Sequence, residues 1–352
     1  YQVNNKESLS SNYIYSLMLD NNGLLWVSTF TGGLNYINTN ALNFSLESFS
    51  KEALYCTRSH IFNDFYQQID GTLYIASDSG LIIYNPQNNL CINNYPELSI
   101  TGIRKSNNNN FWLSTSAGVY SFNKENNKIT YLDIGLPETG VFFTTQLNKN
   151  EIIIGTWEGL YRYNEKKSIL SSISLLDNEL VKVKFYSYSI DNKGQYYFAT
   201  NRGVAHLNKN LNLELIPQLQ SKLFNQDVLT ILINEDDLYY GAFQGGLYKY
   251  NLSSETLIQF SSQDVSDNMS IHSLLIDEKD NIWAGTDQGI KQFNFSNNQV
   301  NQYYKSDGLQ GSYFNINSAY KATDGKFYFG GRNGFNAFYP DKISTNKTPP
   351  NI

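Results

Sequence analysis

Short apolar runs separated by polar turn residues alternate along the whole chain. Near the start these runs cover Ile14–Leu19, Leu24–Thr29, 34–37 and 44–49. Runs of this length, rich in Tyr, Phe, Ile, Leu and Thr and interrupted by Asn and Gly, are typical of β-strands. Because the sequence has no 3.6-residue apolar period, it predicts an all-β chain rather than a helical repeat.

One motif recurs eight times within this pattern. Each copy has a large apolar residue, a tiny residue two positions later, a Gly six or seven positions after the large residue, and an apolar residue directly after that Gly. The large residues are Trp26, Tyr74, Trp112, Ile153, Tyr197, Tyr239, Trp283 and Tyr328. The glycines are Gly33, Gly80, Gly118, Gly159, Gly203, Gly246, Gly289 and Gly334. The spacing of 38 to 48 residues between large residues predicts a closed β-propeller of four-stranded antiparallel blades.

The tiny residue of each copy has a packing role in this interpretation. These residues are Ser28, Ala76, Ser114, Gly155, Ala199, Gly241, Gly285 and Gly330. Propeller blades pack face to face around an axis, so a small side chain at one fixed position lets the neighbouring blade approach closely. The Gly of each copy tolerates the positive φ that a tight hairpin requires.

Eight copies predict eight blades. The chain ends soon after the third strand of the eighth copy, at residues 335–339, and it begins with the short extended segment Tyr1-Gln2-Val3. We therefore expect this N-terminal segment to supply the outer strand of the last blade, which would close the ring and remove an open edge. Seven blades plus an additional hairpin is the alternative. The propeller is expected to span residues 1–340.

Charge and composition exclude several classes of protein. The net charge is −6, and no cluster of Lys and Arg is present, so the chain is not expected to bind nucleic acid. No run approaches the roughly 18 apolar residues that a membrane span requires. Residues 341–352, which include Pro349 and Pro350, predict an extended linker towards a following domain.

Residues that could bind a metal or react are few. His60, His206 and His272 lie in copies two, five and seven, and no metal-binding, nucleophile or nucleotide motif is present. We therefore expect no metal and no cofactor. Cys56 and Cys91 could form a disulfide in an oxidising compartment, but two buried free thiols are the favoured interpretation.

The tips of the second hairpins vary, whereas the framework around them is constant. In a propeller these tips lie on one face, together with the connections between blades. Aromatic rings stack on sugar C–H surfaces, and amides, carboxylates and guanidinium groups bind hydroxyls or acid groups. Packing against neighbouring loops is the alternative for any single tip. The candidate ligand-binding residues are Trp157, Glu158, Arg202, Phe243, Gln244, Asp287 and Arg332.

Residues 9–17, 20–29, 32–36 and 277–294 resemble the regulator-propeller repeat of extracytoplasmic sensors in bacterial hybrid two-component systems. That family combines two propellers, a tyrosine-rich β-sandwich, a membrane helix and a histidine kinase. Residues 338–343 resemble its junction into the sandwich. The resemblance implies a second, membrane-proximal propeller in the periplasm, with a preceding propeller and a following β-sandwich as partners in a homodimeric receptor. Copies two, four and five lack the repeat's Trp, so no binding residue is transferred from the family.

Three functions are open at this point. The favoured one is a ligand-sensing module that responds to a glycan or oligosaccharide, with binding biasing the arrangement of a dimer. The second is a non-binding structural and dimerisation propeller of the same receptor. The third is a polysaccharide lyase or glycosidase. A glycosidase needs two carboxylates within about 5–10 Å, whereas Asp78, Glu158 and Asp287 belong to different copies, so we expect no enzymatic activity in this chain.

Overall fold

The computed structural model describes residues 8–21, 23–38, 44–46, 61–85, 90–95, 97–106, 110–174, 182–219, 227–261 and 268–343. This part of the chain contains 31 strands and short 3₁₀ turns at Lys305–Asp307 and Pro340–Lys342. His60 and the segments 1–7 and 344–352 lie outside the described residues, so the predicted linker at 341–352 stays a prediction.

The strands form eight antiparallel sheets, one for each copy of the motif. The first sheet has three strands, β1 (Ile14–Leu19), β2 (Leu24–Thr29) and β3 (Gly33–Asn38). Three of the four-stranded sheets are β5–β8 (Phe62–Gln67, Leu73–Ser77, Gly80–Asn85, Leu90–Asn94), β9–β12 (Ile100–Lys105, Phe111–Thr115, Gly118–Asn123, Lys128–Tyr131) and β13–β16 (Val141–Asn148, Glu151–Thr156, Leu160–Asn164, Ile169–Ile173).

The remaining sheets also have four strands each. Three of them are β17–β20 (Phe185–Ile190, Tyr196–Thr200, Gly203–Leu207, Leu213–Leu215), β21–β24 (Val228–Asn234, Asp237–Ala242, Gly246–Asn251, Leu257–Gln259) and β25–β28 (Ile271–Ile276, Ile282–Thr286, Gly289–Asn294, Gln299–Tyr303). The last sheet combines β29 (Phe314–Lys321), β30 (Phe327–Gly331) and β31 (Gly334–Phe338) with β4 (Ser45–Leu46).

The four-stranded sheets are the blades of a propeller. Their inner strands pack in the order β5, β9, β13, β17, β21, β25 and β29, and β29 packs on β5 again. The predicted all-β propeller of four-stranded antiparallel blades is therefore confirmed. Eight sheets are present, as the eight copies predict. Seven of them close the ring, which corresponds to the alternative of seven blades with one further sheet.

The ring closes through β4, which lies in the apolar run at 44–49 rather than at the N-terminus. β4 pairs with the outer edge of β31 through Leu46–Asn336 and Ser45–Ala337. The ring of Phe44, just before β4, lies 4.8 Å from that of Tyr303 and 4.8 Å from that of Phe338. The expectation that residues 1–3 supply the outer strand of the last blade is thus wrong, because β4 already occupies that edge.

Each inner strand of the ring has a β-bulge or a register irregularity, and in several blades the bulged side chain forms a second link to the next blade. The bulged residue of β5 is Asn63, whose side chain donates a hydrogen bond to the Ile100 carbonyl of the next blade at 2.8 Å. The bulged Thr101 does the same to the Val141 carbonyl at 2.6 Å. At the seam of the ring, Asn315 Nδ2 donates to the Phe62 carbonyl at 2.9 Å. These bonds tie the first residue of one inner strand to the preceding blade.

The tiny residues face the next blade, as the repeat predicts. A Cβ atom on Gly241 would lie 2.3 Å from Cγ2 of Ile271, which belongs to the following blade. A Cβ on Gly285 would lie 2.6 Å from Oγ of Ser273 in the same blade. It would also lie 3.1 Å from Cβ of Phe314, which belongs to the following blade. Any larger side chain at these positions must therefore push two blades apart.

Replacing Gly285 by Leu should destabilise the propeller by about 1–3 kcal/mol or more, because the added atoms overpack the interface between two blades. The expected result is a lower midpoint of chemical denaturation. The matched control is Ser28→Leu, which changes the same motif position in the first sheet, where the side chain is only half-buried. A midpoint unchanged by Gly285→Leu would contradict the packing of this position against the next blade.

The interpretation of the cysteines as free thiols is wrong. Cys91, on the outer strand β8, is disulfide-bonded. The sequence has one other cysteine, Cys56, which lies outside the described residues. A disulfide between the two would tie the segment before β5 to the outer edge of the same blade, and disulfides of this structural kind persist in oxidising compartments.

The described residues contain neither a membrane-spanning helix nor a cluster of metal-binding side chains. None of the helices in the described part is long and apolar enough to cross a membrane. In the same residues, no three His, Cys, Asp or Glu side chains come together in a way that could hold a metal ion.

Candidate functional site

The candidate site is the face of the ring that carries the second-hairpin tips. A repeated backbone bond fixes six of the eight tips on the segment that enters the inner strand of the same sheet. Examples are Trp157 N–H to the Gly140 carbonyl at 3.1 Å and Phe243 N–H to the Asp227 carbonyl at 2.8 Å. The backbone of these tips is therefore held in place, and their side chains are the variable part of the face.

A hydroxyl side chain closes most of these hairpins. Thr156 Oγ1 donates to the Gly159 carbonyl at 2.9 Å and accepts from the backbone N–H of Glu158 at 3.1 Å. The same pair of bonds recurs at Thr200, with the Gly203 carbonyl and the Arg202 N–H. This hydroxyl residue is not among the predicted site residues. Its signal is a Ser or Thr three positions after the large residue of most copies.

Trp157 is the most prominent candidate on this face. Its side chain is 49% exposed, and its ring stacks on Phe142 with centroids 5.0 Å apart and an interplanar angle of 22°. Lys184 Nζ lies 5.2 Å from the centroid of the same indole ring. Gly140 leaves room for the indole, since a Cβ there would lie 2.6 Å from Trp157 Nε1. The indole is thus an oriented aromatic surface with a cation beside it.

Charged and aromatic groups extend this corner of the face. Glu158 forms an ion pair with Lys182 at 2.7 Å. Phe142 is the bulged residue of β13 and packs edge-on against Tyr186, the bulged residue of β17, at 5.0 Å. Tyr186 donates to Asp227 Oδ2 at 2.5 Å, and burial together with this bond raises the pKa of its phenol. The corner therefore offers an aromatic platform, both signs of charge and a carboxylate.

Arg202 lies at the tip between β18 and β19, and the other four predicted residues lie in two further places. Phe243 is 48% exposed, and the backbone N–H of Gln244 bonds to Ser270 Oγ at 3.0 Å. Arg332 lies over Tyr313, with its guanidinium carbon 3.9 Å from the ring centroid. Asp287 Oδ1 is buried and has no hydrogen-bond partner among the described residues.

His272 joins Arg332 and Asp287 in one cluster. Its ring lies 4.8 Å from that of Tyr313, and Nδ1 donates to the Phe314 carbonyl at 2.6 Å. Burial and the charge of Arg332 lower its pKa, although the carbonyl bond and Asp287 oppose that shift. His272 is the bulged residue of β25, so it links blades as Asn63 does.

The bulged positions are functional-face residues that sequence reasoning did not use. Phe142, Tyr186 and His272 each stand eleven positions before the large residue of their copy. This spacing is constant enough to have identified them. The alternation of strand residues hides them, because a bulge places two residues opposite one and redirects the extra side chain.

A cavity of about 190 Å³ lies on the axis of the ring and is lined by all seven inner strands. Arg104 forms an ion pair with Asp64 there, and Arg104 Nε donates to the Tyr188 hydroxyl at 3.2 Å. Burial raises the pKa of Asp64 although Arg104 opposes that shift. Among the described residues, the buried hydroxyls of Thr144 and Ser273 have no hydrogen-bond partner and line the same cavity.

A larger cavity, of about 560 Å³, lies at the opposite end of the last two blades. It is lined by first-hairpin residues such as Asp277 and Asn281 and by residues 339–343 at the end of the described chain. Trp283 Nε1 donates to Asp277 Oδ2 at 2.8 Å, so this carboxylate already has a structural partner. We therefore place the candidate site on the face of the second-hairpin tips.

Comparisons with known proteins agree with this architecture. Residues 8–31 match the family model described as "Two component regulator propeller". The extracellular domain of the putative hybrid two component system BT3049 from B. thetaiotaomicron is 21% identical, with a TM-score of 0.77, over 96% of this chain and 46% of that chain. The corresponding domain of BT4673 from the same organism is 19% identical, with a TM-score of 0.70, over 84% of this chain and 39% of that chain.

This chain therefore spans less than half the length of these two extracellular domains. Virginiamycin B lyase from Staphylococcus aureus also has a similar structure, with 13% identity and a TM-score of 0.58 over 79% of this chain and 94% of that chain. No curated protein sequence matches. At these identities the structural likeness shows the propeller fold alone.

Proposed function

We propose that this chain is a ligand-sensing extracytoplasmic module of a transmembrane hybrid two-component receptor, and that it responds to a glycan or oligosaccharide. The match of residues 8–31 to the regulator-propeller family and the likeness to the BT3049 domain support the receptor part of this proposal. The disulfide at Cys91 supports a periplasmic location, because structural disulfides persist in oxidising compartments.

The observation that carries the ligand class is the half-exposed indole of Trp157. Stacking on Phe142 fixes the orientation of the indole, and the absence of a side chain at Gly140 leaves room for it. Little side-chain entropy is therefore lost when a ligand stacks on the indole. Lys184 and the Glu158–Lys182 pair supply polar partners within the same corner. An apolar surface bordered by charged groups suits a sugar, which has C–H faces and a hydroxyl rim.

Within the receptor, we propose that this chain is the second, membrane-proximal propeller, which precedes a β-sandwich and acts in a homodimer. Ligand binding changes a dimer's arrangement only if the ligand binds the two arrangements with different affinity. The tip face is suited to that role because its residues come from several blades. A non-binding platform with the same neighbours is the alternative.

Binding of an oligosaccharide panel to the purified chain, first on an array and then by calorimetry, tests this proposal. The proposal is supported if an oligosaccharide binds the chain and if its affinity falls when a second soluble molecule that covers the tip face is added. If no glycan in the panel binds the folded chain, the sensing proposal fails for this propeller. The result then favours the non-binding structural function.

We expect no turnover of polysaccharide by this chain. The carboxylates of Asp78, Glu158 and Asp287 belong to three different blades, and Glu158 is held in an ion pair with Lys182. His272 is tied to the Phe314 carbonyl. Reducing-end and unsaturated-product assays after incubation with a polysaccharide panel check this expectation, and release of either product would support the lyase or glycosidase function instead.

A further inference from the structure

The cavity on the axis of the ring has a largely polar wall, which all seven inner strands build. One small or polar residue of each strand lies on this wall, at intervals of 38 to 44 positions along the chain. These residues are Asp64, Gly102, Thr144, Ser187, Thr230, Ser273 and Asn317. Polar side chains are uncommon where neighbouring strands cover both sides. The repeat thus gathers polar groups from distant parts of the sequence into one volume.

The charged groups of this wall cancel one another. Among the described residues, Arg104 is its cation and Asp64 is its carboxylate. Asp64 Oδ1 accepts from the Phe65 N–H at 2.9 Å. Its Oδ2 accepts from the Ile103 N–H at 2.9 Å and from Arg104 Nη1. An ionic ligand would be buried here without a counter-ion of its own, which costs free energy, so the wall favours a neutral ligand.

The guanidinium of Arg104 keeps donors for a further partner. Nη1 is occupied by Asp64 and by the Ile103 carbonyl at 2.6 Å, and Nε donates to the Tyr188 hydroxyl at 3.2 Å. Among the described residues, neither Nη2 nor the Tyr188 hydroxyl proton has an acceptor. The Arg104 side chain is 37% exposed although it lies within the ring of inner strands. Its remaining donors are therefore accessible from the axis.

Two hydroxyl groups of the wall also lack a partner among the described residues. They belong to Thr144 and Ser273, each of which is 1% exposed. By contrast, Ser318, which holds the motif position of Ser273 in the next blade, donates to the Phe62 carbonyl at 2.8 Å. A buried hydroxyl without a partner costs free energy, and native structures nearly always provide one. A ligand whose hydroxyls both donate and accept would match this set of groups.

The size of the cavity limits the ligand to about one sugar ring. Its volume of about 190 Å³ corresponds to roughly six water molecules, each of which takes about 30 Å³ in the liquid. Sites for drug-sized molecules are larger, at about 300–1,000 Å³. Apolar groups of Phe143, Ile231 and Leu274 lie on the same wall and suit the C–H face of a sugar.

We propose that this axial cavity binds one neutral polyhydroxyl molecule of the size of a monosaccharide. Arg104 Nη2 and the Tyr188 hydroxyl donate to its oxygens. The hydroxyls of Thr144 and Ser273 complete its hydrogen bonds, and Asp64 holds Arg104 in position. The site is separate from the second-hairpin tips, and it does not rest on the sensing function proposed above.

Calorimetry of the 352-residue chain tests this proposal with glucose, galactose and mannose and with the uronate that corresponds to each. At least one neutral sugar should bind with a stoichiometry of one. Its uronate should bind about tenfold or more weakly, because the carboxylate adds an uncompensated buried charge. Absence of binding by all three neutral sugars overturns the proposal, and so does equal or tighter binding of the uronate.

The double substitution Thr144→Val with Tyr188→Phe removes two hydroxyls of the wall and keeps the shapes of the side chains. It should weaken binding of the neutral sugar about tenfold or more, because two hydrogen bonds to the ligand are lost. Thr145→Val is the matched control, since Thr145 is buried on the same strand but is not part of the cavity wall. The Tm checks that both variants fold. Undiminished affinity in the double variant overturns the proposal.

Trp157→Ala with Arg202→Ala separates the axial site from the tip face. This variant should bind the monosaccharide as the unsubstituted chain does. Loss of monosaccharide binding in this variant would place the sugar at the tips and overturn the axial site. A chain that binds a monosaccharide on the axis but no oligosaccharide would support the axial site while the sensing proposal fails.

Discussion

Replacing Arg104 by alanine is expected to lower the free energy of unfolding by about 3 kcal/mol at neutral pH. The substitution leaves the buried Asp64 carboxylate without its counter-ion, and breaking a buried pair in this way typically costs about 3–5 kcal/mol. We expect the lower end of that range, because the Arg104 side chain is 37% exposed and borders the axial cavity, where water can compensate in part.

The size of this loss should depend on pH. Burial raises the pKa of Asp64 in the folded protein, so the folded state binds this proton more tightly than the unfolded chain does. Such a group destabilises the fold as pH rises above its unfolded pKa of about 3.9. Removing Arg104 raises the pKa further, so the deficit relative to the unsubstituted protein should be largest at neutral pH and should shrink as pH falls towards 4.

Urea denaturation at pH 7 and at pH 4.5 measures both effects. Arg162→Ala is the matched control, since Arg162 Nε lies 3.8 Å from Glu151 Oε1, a carboxylate that is more exposed than that of Asp64. Its loss should cost less than about 1 kcal/mol. A double change of Asp64→Leu and Arg104→Met should recover most of the stability. Equal losses in the Arg104 and Arg162 variants at pH 7 would show that the axial pair is not desolvated.

The double substitution Trp157→Ala with Arg202→Ala is expected to weaken oligosaccharide binding at least tenfold and to leave the Tm nearly unchanged. A stacked ring contributes about 0.5–1.5 kcal/mol and a charge-assisted hydrogen bond about 1.5–3 kcal/mol, whereas tenfold corresponds to about 1.4 kcal/mol. Stability should hold because half of the Trp157 side chain is exposed. Calorimetry and thermal denaturation measure the two quantities.

The control for this pair is Phe30→Ala, at the same tip position in the first sheet. The Phe30 side chain is 74% exposed, and this sheet is not one of the seven blades of the propeller. The affinity of the Phe30→Ala variant for the oligosaccharide should match that of the unsubstituted chain. Undiminished binding after the double substitution would place the ligand site elsewhere. Because Lys184 lies beside the indole, binding of an acidic sugar should also weaken as salt concentration rises.

The blades were predictable from the sequence because each copy carries its own turn chemistry. All eight motif glycines adopt positive φ, from 77° at Gly246 to 158° at Gly159, and each begins or precedes a third strand. The closure of the ring was not predictable in the same way. The apolar run at 44–49 predicts a strand, but alternation within one run cannot say which sheet it joins, and Ser45–Leu46 pairs far from its neighbours in sequence.

The candidate face was predictable only in part. The exposed tips Trp157 and Phe243 followed from variable residues on a constant framework. Their partners did not, because Phe142 and Lys184 come from the starts of two inner strands that only blade packing brings beside the Trp157 tip. His272 and Arg332 meet for the same reason, although 60 positions in the sequence separate them.

The position of β4 connects the first sheet directly to the ring of seven blades. The polypeptide leaves the first sheet at Asn38 and enters the outer edge of the last blade at Ser45, so a few residues join the two. Among the described residues, two residue pairs hold that edge, and the ring of Phe44 packs beside it between the rings of Tyr303 and Phe338. A displacement of the first sheet therefore reaches the ring first at the outer edge of its last blade, through the polypeptide that connects Asn38 to Ser45.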